Sequence, residues 1–307
     1  MSRRARASAL LVIASWPAAA VAQSWTDATR SRMIQDALKI TPPALSEILL
    51  RYAKDLNRGM LEPSRHEGEE VHFQLADGRG GLAASGVTKK VGEIRGLLDR
   101  HASFRRVTYE MGVLAHLVSD VEFPLNASDS DAREPLYRGA YCRYVERVLD
   151  RIPFVVDRDE PAALQKNDIP GFVMDIARRA VRNYALIGPA FKDDGTPATP
   201  SALDERSVPF GIASLSYSHA TSDIAWIWRH LWGSVNGDMR GTPFIGGPPP
   251  EKVQVPPRPP KGRHAPRAAR TPGPSPAPQA SPSPAPQATP PAAPRPAPSA
   301  GPGKGGP

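Results

Sequence analysis

The chain has 307 residues, a formal net charge of +8, 36 prolines and a single cysteine. One cysteine excludes a fold stapled by intrachain disulfides, so a hydrophobic core must supply the stability. The positive charge lies at the ends: residues 1 to 24 hold three basic residues and 247 to 307 hold eight against one acidic, which leaves the segment between them at −2 and excludes a basic folded core built to grip nucleic acid.

Arg3, Arg4 and Arg6 precede an apolar run from Ala9 to Trp16 that is too short to span a bilayer, followed by small residues. This predicts a signal peptide over 1–24 and a secreted or periplasmic product, with an uncleaved anchor as the alternative. Cleavage after Ala22 or after Ser24 satisfies the small-x-small pattern, and the second choice makes Trp25 the first residue of the mature chain.

From Trp25 to Trp232 the apolar spacing is helical and no stretch alternates as a strand does, so residues 25–246 read as an all-α bundle of about seven helices. Met33, Ile34, Ala37 and Leu38 line a first helix that Pro42 and Pro43 end. Leu45, Ile48, Leu49, Tyr52 and Leu56 mark a second, expected to stop near Gly59. Residues 60 to 86 form a long connection containing His66 and His72. Val91 to Leu98 predict a third helix, and Val107 to Val118 a fourth that stops before Pro124. Leu136 to Leu149 and Phe172 to Tyr184 give the fifth and sixth. Phe210 to Trp232 gives a long, mostly apolar seventh, expected at the centre. After Gly246 the composition turns to Pro, Ala, Ser and Gly, which cannot bury enough surface to offset ordering entropy, so 247–307 read as a disordered basic tail able to touch anionic membrane or cell wall.

His116 and Asp120 are four apart on the fourth predicted helix, which puts both on one face and within reach of one metal ion. His219 and Asp223 repeat the spacing on the seventh, where a buried, satisfied pair competes with a ligand or proton-transfer role. Cys142 and Glu146 repeat it on the fifth, with a small buried hydrophobe as the competing reading of the cysteine. No Gly-rich phosphate loop or nucleophile elbow occurs.

The segment Gly112 to Asn126, with Asp120-Val-Glu-Phe-Pro-Leu-Asn, resembles the Leu-His-Tyr-Leu-Gly-Asp-x-x-x-Pro-x-His signature of zinc-dependent phospholipases C. Trp25 stands where those mature enzymes begin, His72-Phe73 with Ala76-Asp77-Gly78 resembles their His-Phe-Tyr loop, and Cys142 to Asp150 parallels their His-x-x-x-Glu helix. The resemblance spans about residues 25 to 235. It implies a phosphodiester hydrolase acting on phospholipid headgroups or related phosphate esters, with zinc in a cleft at one end of the bundle. Carried over by position, a first metal site takes His72, His116, Asp120 and Glu62, the last also serving as catalytic base. A second falls on Asn126, Cys142 and Glu146, a set poor in good zinc donors. A third falls on Trp25 and Asp120, with Arg30 or Ser31 where the family has a histidine. Arg30 would then pair with Asp120 or, like Asn126, contact substrate phosphate. The alternative is a non-catalytic, envelope-associated binding protein retaining one metal or none.

Overall fold

A computed structural model describes residues 24–62 and 68–243. Residues 1–23, and with them all of the predicted signal peptide except Ser24, lie outside the described residues, as do His66 and the predicted tail over 247–307. Nine α-helices form among those described, with no strand beyond a single bridge between Phe191 and Pro197. The all-α expectation holds.

Helix α1 (Asp27–Lys39) starts where the Thr26 hydroxyl accepts from the Thr29 amide. The expected second helix is two, α2 (Pro43–Arg51) and α3 (Ala53–Leu61), joined at Tyr52, whose backbone leaves helical geometry at φ −113° and ψ 32°. Next come α4 (Ala83–Asp99), α5 (Phe104–Glu122) and α6 (Glu134–Val148). The four-residue α7 (Ala162–Gln165) is too short to leave a periodic signal. Asp168 caps α8 (Ile169–Tyr184) and Ser207 caps α9 (Val208–Ser234), each accepting from an amide three residues on.

Helix α9 shares the middle of the bundle with α5, in which every residue from Met111 to Glu122 is buried. A helix buried on all sides needs apolar or satisfied residues all round, and α5 supplies Leu114, Leu117, Val118 and Val121 alongside His116, Asp120 and Glu122. Its neighbours are α3, α4, α8 and α9. The Trp228 indole donates to the Met111 carbonyl and the Trp25 indole to the Ser119 carbonyl, so α9 and the start of the described chain are each pinned to it.

Two glycines set the position of α3. Gly59, expected to end a helix, lies inside α3, where an added Cβ would sit 2.0 Å from the Tyr109 carbonyl oxygen; at Gly112 it would sit 2.2 Å from that of Leu56. Only hydrogen at both positions lets these backbones approach so closely. That approach carries the Met60 carbonyl to α5.

Candidate metal centre

His72 ends a single 3-10 turn, Glu69–His72, ahead of the loop that enters α4. The loop is closed by main-chain bonds from Leu82 to Glu70 and from Ala83 to Phe73, and by the Gln74 side chain, which bonds Gly80 and Ala84. Gly81 allows the closure: its φ is +81° and a Cβ would lie 2.1 Å from the Phe73 oxygen. From α6, Arg138 donates to the Asn126 side-chain oxygen, and the Asn126 amide donates to the carbonyls of Asp120 (2.9 Å) and His72 (3.4 Å). Asn126 is thus a brace between the end of α5 and the His72 turn. Its oxygen accepts from Arg138, and its amide nitrogen is spent on the two carbonyls.

His72, His116 and Asp120 converge. Their candidate ligand atoms all lie within 4.8 Å of one another, and no other group of three or more His, Cys, Asp or Glu does so among the described residues. His72 Nδ1 is 2.8 Å and His116 Nε2 2.9 Å from the same oxygen, Asp120 Oδ2. His116 Nδ1 is 2.6 Å from the Met60 carbonyl, which can only accept, so the Nδ1 proton is fixed there.

The charge states follow from burial. Burial, stronger than the pull of Asp120, lowers the His116 pKa and keeps the ring neutral. Burial opposes ionisation of Asp120, yet the adjacent Arg30 guanidinium holds its carboxyl well below the usual carboxylate range. A neutral His116 with its proton on Nδ1 therefore aims the Nε2 lone pair at a carboxylate oxygen 2.9 Å away. Two buried acceptors in contact repel unless a cation lies between them. His72 is also short of a partner, its Nε2 being buried with none among the described residues. The donor set fits a divalent metal, and Nδ1–H to a main-chain carbonyl is the orienting bond that metal-bound imidazoles make.

The other oxygen, Asp120 Oδ1, is occupied from within. Arg30 Nη2 lies 2.6 Å from it and the Ser24 hydroxyl donates to it at 2.7 Å. Arg30 further donates to the Trp25 carbonyl (3.1 Å), the Ser119 hydroxyl (3.1 Å) and Ser24. It is 5% exposed. These contacts and the bond to Asp120 take four of its five N–H donors inside the protein, so Arg30 is a buried partner of Asp120. The Trp25 carbonyl, a predicted ligand, is likewise taken by Arg30.

Glu62 is exposed at the C-cap of α3, two residues beyond Met60, and is outside the converging trio. Cys142 and Glu146 do not join it either. Glu146 is exposed on α6, and burial pushes the Cys142 thiol up to about 12, which leaves it protonated and a poor ligand. His219 and Asp223 do not pair with each other. His219 bonds Asp157 at 2.6 Å, and Asp223 shares Arg179 with Glu122.

Sequence reasoning missed this Glu122–Arg179–Asp223 cluster, because its members come from three helices and only the fold unites them. Burial pushes Glu122 up to about 7 against the pull of Arg179. A raised carboxyl costs the fold nothing below its ordinary 4.5, progressively more as pH climbs to 7, and a constant amount above. In chelator, the melting temperature of Glu122→Gln minus that of wild type is therefore expected to grow with pH from 4.5 to 7 and then level off. A pH-independent difference would contradict the assignment.

No family model matches the sequence, and no curated protein matches it. Solved structures do. The alpha toxin from Clostridium absonum aligns with a TM-score of 0.55 at 15% identity, covering 70% of this chain and 67% of its own. The alpha-toxin of the avian Clostridium perfringens strain SWCP aligns at 0.52 and 15%, covering 73% and 67%. The chain has the alpha-toxin fold. That agrees, at the level of the fold, with the helical architecture implied by the resemblance to zinc-dependent phospholipases C. Among the described residues, no helix of this alpha-toxin-like domain is long and apolar enough to cross a membrane.

Proposed function

We propose that the chain is an exported zinc-dependent phosphodiester hydrolase of phospholipase C type, working with one metal held by His72, His116 and Asp120. The observation that carries this is the buried contact of His116 Nε2 with Asp120 Oδ2, two acceptors that a cation reconciles. Two imidazoles and a carboxylate suit zinc, and three protein ligands leave a position open, as catalytic rather than structural zinc sites do. The alpha-toxin fold and the motif around Asp120 support the phosphate-ester class.

Bound zinc would polarise a phosphoryl oxygen and acidify a coordinated water. The protein's own groups prepare the rest. Met60 fixes the His116 tautomer, Asn126 holds the His72 turn, and Arg30 with Ser24 turns Asp120 so that Oδ2 faces the histidines. His72, with 18% of its side chain exposed against 9% for His116 and 3% for Asp120, marks the side from which substrate enters. Glu62, exposed at the end of α3 and outside the trio, is the proposed base, the proton released by the attacking water reaching it through solvent water rather than by direct contact. The basic segment 247–307 would hold the enzyme near an anionic envelope surface.

Purified full chain is expected to hydrolyse bis(p-nitrophenyl) phosphate and to release a phosphorylated headgroup from phosphatidylcholine micelles. Chelation should abolish both activities and zinc restore them. Metal binding without either activity would favour the second reading, a non-catalytic relative, for which the near-complete enclosure of His116 and Asp120 speaks.

A further inference from the structure

Arg30 carries a full positive charge within hydrogen-bonding distance of the only carboxylate in the trio. Its guanidinium cannot lose its proton, and with 5% exposure it cannot leave. Counting charges over the buried groups, Arg30 cancels Asp120 and both imidazoles count as neutral ligands, so a divalent ion adds an uncompensated +2. Glu62 is exposed and its charge is screened by water. Lys90, a buried cation on α4, is balanced by Glu93 and Glu110, and Arg179 by Glu122 and Asp223. The excess therefore belongs to the metal centre alone.

We infer that Arg30, as a positioning residue that never touches the ligand, makes the loaded centre select a dianionic phosphate monoester over a monoanionic diester. Charge is matched at low dielectric, where one extra unit changes affinity by at least about tenfold. Two consequences follow. The monoester end of a cleaved diester is held more tightly than the diester itself, so product inhibits. Phosphate monoesters are also bound as ligands in their own right.

This inference rests on the metal reading above, so zinc content is measured first on the full chain. Binding of phenyl phosphate and of dimethyl phosphate is then followed by titration calorimetry at pH 7.5, where a monoester is mostly dianionic. The wild type is expected to bind phenyl phosphate at least about tenfold more tightly, Arg30→Lys to keep that ratio, and Arg30→Met to bring it within about threefold of unity. Arg30→Gln, which retains hydrogen bonding, stands in if the methionine variant does not fold. Absence of zinc from the wild type would defeat the metal reading. Zinc present with a wild-type ratio near one, or with a ratio unchanged in the neutral variants, would overturn the role of Arg30.

Discussion

Replacing His116 by alanine is expected to strip the metal from the centre while leaving the helices folded. Three ligands hold the ion, and the lost imidazole is the one with its tautomer fixed in advance, by Met60 at 2.6 Å. Loss of an orienting partner alone costs about 10- to 100-fold in metal affinity, and loss of the ligand itself costs more. Zinc per chain after dialysis should therefore fall from about one to below about 0.1. Removal of the lone pair facing Asp120 relieves a repulsion, which offsets the donor lost to the Met60 carbonyl. The melting temperature of the metal-free variant should thus stay close to that of the metal-free wild type. Unchanged zinc content in His116→Ala would refute the site.

Gly112→Ala is expected to be strongly destabilising. In an exposed helix this change gains about 1 kcal/mol, because alanine is the better helix former. Here the new methyl would lie 2.2 Å from the Leu56 oxygen and 2.9 Å from the Met60 nitrogen, both backbone atoms that cannot swing aside. The helices must separate, at an overpacking cost of about 3 kcal/mol or more, so sterics outweigh propensity. A melting point lower by roughly 10 °C is expected for a domain of this size. Separation also draws the Met60 carbonyl away from His116, so zinc affinity should fall together with stability. Gly92→Ala on α4 is the control. Its new methyl would have nothing within 4 Å, and the change should leave stability equal or slightly higher. Equal melting points for Gly112→Ala and wild type would contradict the close approach of α3 and α5.

The parts of the site that could be seen in the sequence are those written into one helix. His116 and Asp120 share a face of α5 because four residues nearly complete a turn, and this spacing survives any error in tertiary placement. His72 was legible only through its motif, since a 3-10 turn closed by Gly81 and Gln74 has no periodic signature. Arg30 and Ser24 sit about 90 residues from Asp120 in sequence; the resemblance offered the Arg30–Asp120 pair as one of two readings, and packing selects it and adds Ser24 on the same Oδ1. Cys142 and Glu146 show the limit of spacing as a guide. Their i, i+4 relation is real, but one faces the core and the other faces water. Gly59 misled in an instructive way: a glycine after an apolar helical run reads as a stop signal, whereas here it is the point at which another backbone comes close. The break at Tyr52 and the short α7 left no trace for the same reason, neither altering the apolar period over enough residues.

The most direct test is a zinc-edge anomalous diffraction map from crystals of the full chain grown with zinc. One strong peak is expected about 2.0–2.1 Å from a nitrogen of each of His72 and His116 and from an Asp120 oxygen, with Arg30 still seated on the other oxygen. A map with no peak between these three side chains, or with the zinc on Cys142 and Glu146 instead, would contradict this metal centre.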